Sequence, residues 1–460
     1  MSAEGLAACE QKMRDAGLPG VAIDTFAHYY RQLEAGETGL IAEAEIEPVT
    51  DAPDADDLTE EASAELLDQA VVIKLNGGLG TSMGMTKAKS LLEARDGQTF
   101  LDLVARQVLG LRERTCARLP LVLMDSFATR DDSLAALEQH PALSADLPPD
   151  FVQSKEPKVL ADATMMPAEW PANPALEWCP PGHGDLYTSL QTSGMLERML
   201  GAGYRYAFVS NSDNLGAVLD PRILAWVAAA DAPFTMEVTE RTDADRKGGH
   251  IARRIDGGGL LLRETAQTPD EDMHVFEDVS RHRYFNTNNL WIDLRALAAE
   301  LDRRDGVLGL PMIRNRKTVD PADKTSPEVL QIETAMGAAL GVIEGARVLR
   351  VPRVRLAPVK TTNDLLALRS DAFALGDDGQ VVPAPGREGR PPVIDLDPEF
   401  FKLVGDFEPR VSGGVPSLRE CDRLTVRGDV AFGPGVVVRG TVEIRADEGP
   451  VRLEDQVLEG

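Results

Sequence analysis

Strand, glycine loop and lysine follow one another between Val71 and Lys89. The run Val71-Val72-Ile73-Lys74-Leu75 is apolar and rich in β-branched residues, the pattern of a buried strand. Gly77, Gly78, Gly80 and Gly84 then place four glycines in eight residues. Glycine lets the backbone turn sharply and come close to a ligand, and successive N–H groups in such a loop converge on an anion. Lys89, eleven residues after Gly78, is near enough in sequence to cover the same charge. The loop is neither common phosphate motif. Gly84 is followed by Met85 where a Walker loop needs Lys-Ser/Thr, and Met83 stands where a dinucleotide fingerprint needs glycine. The plain alternative for the loop by itself is a strand-to-helix turn without a ligand. A second group is Asp213, which closes Phe208-Val-Ser-Asn-Ser-Asp. A carboxylate at a strand end suits Mg²⁺, which takes one or two carboxylates and completes its shell with phosphate oxygens and water; a turn or helix cap is the alternative use of such an aspartate. Together these groups imply a phosphorylated ligand.

The elements that must hold them are legible as alternation. Apolar runs recur at Leu119–Met124 and Tyr206–Ser210, with helical patterns at Thr99–Arg114 and Leu186–Gly201. Alternating strands and helices predict an α/β fold with a mostly parallel, doubly wound, Rossmann-like sheet. Ligands in such sheets sit beyond the carboxyl ends of strands, where Gly77, Met124 and Asp213 all fall. Residues 3–35 read as two helices broken at Gly17-Leu18-Pro19-Gly20, residues 48–58 as a linker, and a helix leads into the strand at 71. Near the C-terminus Leu424, Val430, Val436 and Val442 are six apart, as are Val426, Phe432, Val438 and Ile444, with Gly428, Pro434 and Gly440 in step. That period predicts a short left-handed parallel β-helix. It carries no catalytic constellation, which leaves scaffolding or contact in a homo-oligomer as its role. The expected domains are residues 1–68, a helical segment with an acidic linker; 69–370, catalytic; and 371–460, C-terminal with the β-helix.

Composition sets outer bounds. The 460 residues suffice for two or three domains, and 43% hydrophobic with 27% charged residues is ordinary for a soluble globular chain. The net charge of −27 argues against a nucleic-acid partner or an anionic membrane surface. Ile41 to Asp68 holds eleven acidic and no basic residues and reads as a solvated linker or surface helix. The start Met-Ser-Ala-Glu-Gly lacks a basic, then apolar, leader pattern, and no uncharged apolar run approaches the ~18 residues of a membrane span. Cys9, Cys116, Cys179 and Cys421 are scattered, so neither a disulfide framework nor a zinc site is expected, and a reducing cytoplasm fits. His28, His140, His250, His274 and His282 show no ligand spacing and are expected to be structural or exposed.

The block Lys74-Leu-Asn-Gly-Gly-Leu-Gly-Thr-Ser-Met-Gly84 resembles the signature of the eukaryotic-type UTP–glucose-1-phosphate uridylyltransferases. The resemblance continues in order at Leu123–Phe127, Gln153–Lys155, Pro180–Tyr187, Phe208–Asn214, Lys247–Gly249, Phe285–Trp291, Gln331–Ala335 and Pro358–Thr362, spanning about residues 70 to 370. Two departures stand out: Thr86-Lys-Ala-Lys89-Ser90 where the family shows Lys-Gly-Pro-Lys-Ser, which leaves Lys89 matched but not Lys87, and Tyr187-Thr188 where it shows Tyr-Pro. The resemblance implies a nucleotidyltransferase fold of the same α/β type and a reversible, Mg²⁺-dependent reaction. UTP and glucose 1-phosphate give UDP-glucose and pyrophosphate by in-line attack at the α-phosphorus. It implies Lys89 and Lys360 as the phosphate lysines and Asp213 as the metal ligand. Leu75, Gly77, Gly78, Met124, Gln153 and Gly182 are implied around uridine, and His183, Asn211, Glu264, Asn286, Asn288 and Glu333 around the sugar phosphate. An amide such as Gln153 both donates to and accepts from a uracil edge, and Asn286 and Asn288 alternate along a strand-like segment so that both amides face one side. Core packing is the equal alternative for Met124. The same chemistry on another sugar 1-phosphate, or a non-catalytic sugar-nucleotide-binding protein, are the competing readings. Retention of Lys89, Asp213 and Lys360 speaks against the second.

Overall fold

The computed structural model describes residues 2–242, 245–376, 378–387 and 391–460. They form two compact units, each gathered from separate stretches: Met1–Ile73, Asp146–Val209 and Asp220–Val351 in the first, Lys74–Ala145, Ser210–Leu219 and Pro352–Gly460 in the second. Strands Ala70–Leu75 and Tyr206–Asn211 each begin in the first unit and end in the second.

The first unit opens with the two expected helices, Ser2–Asp15 and Gly20–Glu34. Gly17, at φ +73°, makes the break between them. Their inner faces supply Cys9, Met13, Phe26, Tyr29, Tyr30 and Leu33 to an apolar cluster shared with Val159, Met312 and Ile332. Full burial of each large side chain contributes roughly 1.5–3 kcal/mol. The sheet of this unit is mixed. Strand Tyr284–Asp293 pairs antiparallel with Tyr206–Asn211, Phe234–Glu240 and His250–Arg254, whereas Phe234–Glu240 runs parallel to Arg347–Arg350. One antiparallel pair has a local cause: a short turn, in which Gly257 adopts φ +83°, joins His250–Arg254 to Leu260–Arg263, whereas Tyr284–Asp293 meets its partners over long stretches of chain. The helical pattern at Leu186–Gly201 is two helices, Leu186–Thr192 and Met195–Gly201. Ser193 Oγ donates back to the Ser189 carbonyl (2.6 Å) and Gly194 turns to φ +71°, which ends the first helix.

Part of the acidic stretch is built into this unit rather than merely solvated. Ile46–Pro48 adds an antiparallel edge to His250–Arg254. Glu43 accepts from Arg263 and Arg281, each at 2.8 Å, and Asp54 from Arg350 at 2.9 Å. The Arg263 side chain is fully buried, and a buried guanidinium requires carboxylate partners. Beside it His250 and His282 stack, ring centroids 3.7 Å apart and 19° from parallel.

In the second unit, helix Phe100–Thr115 starts at a reciprocal cap between Thr99 and Asp102, one residue from the expected start, and strand Leu121–Asp125 is buried throughout. The C-terminal stretch is a parallel stack. Ser417–Arg427 lies between Val393–Leu396 and Val437–Arg445, Val457–Glu459 follows, and Val430–Phe432 pairs with Val451–Leu453. All eight positions of the two six-residue series are buried. Leu424 lies opposite Val442 and Val426 opposite Ile444, a shift of three six-residue repeats. Among the described residues no helix is long and apolar enough to cross a membrane, and the four cysteines are free thiols.

The histidine stack sets an acid limit on stability. Burial holds His250 well below the ordinary imidazole range, helped by His282, Arg241 and Arg263, and burial lowers His282 despite Glu43. In the unfolded chain both protonate near pH ~6.5. Between that value and the lower folded ones the unfolded state therefore binds more protons, so the stability is present above pH ~6.5 and falls as the pH drops. We expect the denaturant midpoint to fall between pH ~7 and ~5, and His250→Phe, which keeps the stack but not the titration, to flatten that slope by up to ~1.4 kcal/mol per pH unit.

Candidate active site

The second unit brings the glycine loop, Lys89 and Asp213 into one hydrogen-bonded network, and Lys360 follows a residue, Val359, that bonds to that network. The loop departs from strand Ala70–Leu75 at Asn76, which is 1% exposed. Its N–H donates to the Met124 carbonyl (2.7 Å), and its side-chain amide donates to Asp125 Oδ1 (2.7 Å) and Ser133 Oγ (2.8 Å). Lys74, also buried, donates to Ser210 Oγ and the Ala217 carbonyl, both at 2.7 Å. These contacts fix the end of the strand, so that the direction of the loop is set before any ligand arrives. Gly77 is half-buried and Gly78 exposed, and a Cβ built on Gly78 would meet nothing within 4 Å. Packing within the protein therefore does not demand glycine at 78, whereas close approach of a ligand would.

The loop returns where Lys89 N–H donates to the Gly78 carbonyl (3.0 Å). Lys89 Nζ reaches Asp213 Oδ2 at 2.5 Å, with both side chains less than one-fifth exposed. Asp213 Oδ1 is buried and has no hydrogen-bond partner among the described residues. The Asp213 carbonyl accepts from Val359 N–H (3.2 Å), and Asn214 Oδ1 accepts from Ala357 N–H (2.9 Å). Lys360 follows directly, exposed, its backbone N–H donating to Asp364 Oδ2 (2.9 Å) as helix Thr362–Arg369 begins. Leu75 and Asn211 are half-buried at the ends of their strands, and Met124 is 2% exposed with its carbonyl engaged by Asn76.

The first unit assembles the remaining residues around the turn Gly182–Asp185. Gly182 holds φ +79°, and a Cβ there would stand 2.5 Å from the Thr334 carbonyl oxygen. His183 Nδ1 accepts from Met336 N–H (3.0 Å), which puts the imidazole proton on Nε2 when the ring is neutral. Asp185 Oδ2 accepts from Ser154 N–H and Ser189 Oγ, both at 2.6 Å. Burial pushes the Asp185 carboxyl up to about 7, against the pull of those two donors. Gln153, next to Ser154, is half-buried. Asn286 Nδ2 donates to Asn288 Oδ1 (2.9 Å) and Asn288 N–H to Asn286 Oδ1 (2.8 Å), so the two amides do share a side. Simple alternation is not the reason. The ladder to Phe234–Glu240 shifts register here, and Asn288 adopts φ +58°, a conformation asparagine tolerates. Gly337 packs against this pair: a Cβ on it would lie 3.1 Å from Asn286 Nδ2. Glu264 caps the turn Thr265–Gln267 and lies against Gly249, and Glu333 stands 3.6 Å from Lys317 Nζ.

Four supporting residues escape the sequence reading: Lys74, Asn76, Asp185 and Glu237. Glu237 is fully buried, accepts from Asn289 Nδ2 (3.0 Å) and Trp291 Nε1 (2.9 Å), and so holds the shifted register that presents Asn286 and Asn288. The available signal is a charged residue inside an apolar run, Val-Val-Ile-Lys74-Leu or Phe-Thr-Met-Glu237-Val. Burying such a group is costly unless it is hydrogen-bonded, so its presence implies a partner.

The profile of the UTP–glucose-1-phosphate uridylyltransferase family matches residues 23–439. The chain belongs to that family. UTP–glucose-1-phosphate uridylyltransferases of Solanum tuberosum and Hordeum vulgare are each 42% identical to it, over 85% of this chain and 79% of the potato enzyme, and over 91% and 88% for barley. UDP-glucose pyrophosphorylase from Leishmania major, solved in open and closed structures, superposes with a TM-score of 0.93 at 45% identity, covering 99% of each chain. A variant of the Leishmania enzyme in complex with UDP-glucose gives 0.92 at 46% identity, again over 99% of each chain.

For this uridylyltransferase-family chain, Gly182 offers a sharp test of the turn. Gly182→Ala puts a side chain at φ +79°, ψ 177°, a backbone region that is essentially glycine-only and costs about 1–3 kcal/mol, and adds a methyl group against the Thr334 backbone. We expect lower stability in urea denaturation and a raised KM for UTP, with normal values for both showing that the turn has room to spare.

Proposed function

We propose that this chain transfers the uridylyl group of UTP to glucose 1-phosphate, giving UDP-glucose and pyrophosphate reversibly. The observation that carries the reading is the Lys89–Asp213 pair beside the glycine loop, with Asp213 Oδ1 buried and unsatisfied and with the segment of Lys360 bonded to the Asp213 backbone. A site with backbone donors, two ammonium groups and an available carboxylate oxygen suits a polyphosphate with its counter-cation.

A phosphate oxygen of glucose 1-phosphate attacks the α-phosphorus in line. The new P–O bond forms as the bond to the bridging oxygen of pyrophosphate breaks, and that electron pair leaves with pyrophosphate. No covalent enzyme intermediate is needed, so the chain contributes position and neutralisation of charge. Lys360 stabilises the α-phosphate and Lys89 the neighbouring phosphates. Leu75, Gly77, Gly78, Met124, Gln153 and Gly182 hold uridine, with Gln153 reading the uracil edge. Asn211 and His183 take the sugar phosphate, and Asn286, Asn288, Glu264 and Glu333 its hydroxyls. The donor set fits Mg²⁺: Asp213 presents a hard oxygen, and among the described residues no larger group of His, Cys, Asp or Glu competes for the ion. When bound, Mg²⁺ would neutralise charge on the triphosphate. We further infer that the C-terminal parallel stack winds as a left-handed β-helix, serving as scaffold or homo-oligomer contact. The domains are read as 1–68, 69–370 and 371–460, and the enzyme as cytoplasmic.

The test is pyrophosphate release from UTP with glucose 1-phosphate, set against galactose 1-phosphate and N-acetylhexosamine phosphates, and against ATP and GTP. UTP with glucose 1-phosphate should dominate, and comparable turnover with ATP would refute the base assignment. Lys360→Ala should lower kcat by roughly a hundredfold or more, as loss of one transition-state donor does, without altering the fold. Asp213→Asn should depress turnover and raise the Mg²⁺ concentration at half-maximal rate; an unshifted metal dependence with wild-type kcat would reduce Asp213 to a turn residue.

A further inference from the structure

We propose that Asp185 is a positioning residue for nucleobase recognition, its buried carboxylate locking the Gln153 peptide unit to the Gly182–His183 turn. The inference rests on the reading of Gln153 as the uracil contact. The donor that Asp185 takes at 2.6 Å is Ser154 N–H, half of the peptide group whose carbonyl belongs to Gln153. Holding that plane sets the direction in which the Gln153 side chain leaves the backbone. The same carboxylate oxygen is anchored by Ser189 Oγ at 2.6 Å, from helix Leu186–Thr192. Asp185 is 5% exposed, so water does not supply substitute donors cheaply.

The other side of the segment is held independently. Glu156 and Pro157 pair antiparallel with Cys179 and Trp178, and Lys155 Nζ lies 4.4 Å from the Trp178 ring centroid. Gln153 and Ser154 thus form the short span between strand Asp150–Val152 and this ladder, and Asp185 holds the peptide that joins them. The turn that carries Asp185 is itself clamped, Gly182 against Thr334 and His183 on Met336 N–H. One carboxylate therefore ties the base-reading amide to the turn bearing the sugar-side imidazole. No other role in the proposed reaction calls for a buried aspartate at this place.

The test is steady-state kinetics with UTP and CTP at saturating glucose 1-phosphate, alongside thermal unfolding. Asp185→Ala should raise the KM for UTP by about tenfold or more with a much smaller change in kcat, and lower the UTP-over-CTP preference, since a misdirected contact costs up to ~100-fold. Asp185→Asn, with its amide oxygen in the place of Oδ2, keeps the acceptor that serves both Ser154 N–H and Ser189 Oγ, and should restore most of that preference. A folded Asp185→Ala enzyme with unchanged UTP KM and unchanged preference overturns the inference, even if its melting temperature falls. Should Asp185→Ala prove insoluble, Ser189→Ala decides: a smaller rise in UTP KM with weakened preference supports the anchor, and an unchanged preference overturns it. Gln153→Ala separates the two readings. If it loses the preference while Asp185→Ala keeps it, only the positioning role fails; if Gln153→Ala keeps it, the base reading fails and the positioning role with it.

Discussion

The contact between Lys89 and Asp213 joins groups 124 residues apart in the chain, and the rest of the second-unit site is arranged around it. Two mostly buried charges of opposite sign tolerate desolvation only as partners. Each is delivered by its backbone: Lys89 by the bond of its N–H to the Gly78 carbonyl, Asp213 by the bond of its carbonyl to Val359 N–H. In the proposed reaction the pair would also define what can enter. An arriving phosphate competes with the carboxylate for the ammonium, and an arriving cation competes with the ammonium for the carboxylate. When both arrive together the charges exchange partners and neither is stranded. A neutral ligand, or an anion without its cation, would leave one of them uncompensated.

Such a centre needs rigid surroundings, and these come from polar groups buried at strand ends. Lys74 and Asn76 spend donors on Ser210, Ala217, Asp125 and Ser133, all groups of the protein itself. Glu237 does the same beneath Asn286 and Asn288. Each such group costs several kcal/mol to bury without a partner and gives a single geometry when its partners are in place. Well-packed apolar residues in place of a whole such network would serve stability as well or better, whereas removal of one member strands its partners. A polar network specifies direction, because hydrogen bonds lose their value within a few tens of degrees.

That difference explains what could be read from the sequence. The strands at 71, 121 and 206, the helix capped by Thr99 and the six-residue series were legible because they depend on local periodicity and on caps. The glycine loop, Lys89 and Asp213 could be singled out because the strand-and-loop pattern and the family resemblance both mark them, and the structure brings Lys89 to Asp213. The register shift at Asn286–Asn288 was not, since it arises from the partner strand Phe234–Glu240. Nor was the use of Glu43 and Asp54 as anchors, because a carboxylate in an acidic run looks solvated until the distant Arg263 and Arg350 are seen beside it. Asp185 was missed for the same reason: its partners Ser154 and Ser189 are ordinary residues whose donors matter only in three dimensions.

A chain of net charge −27 that handles a triphosphate appears at first contradictory. Range resolves it. At physiological ionic strength exposed charges are screened over about 8 Å, so the distributed surface excess acts weakly on a ligand already in contact. In the proposed reaction it is Lys89 and Lys360 that would set the sign within that distance. The acidic stretch meanwhile spends part of its charge internally, on Arg263, Arg281 and Arg350. The total charge therefore bears on solubility and on partners such as nucleic acid. In the proposed reading the ligand is chosen by a few cations, and the backbone that carries them is held by uncharged atoms: the Gly78 carbonyl, the Val359 amide and the Asp213 carbonyl.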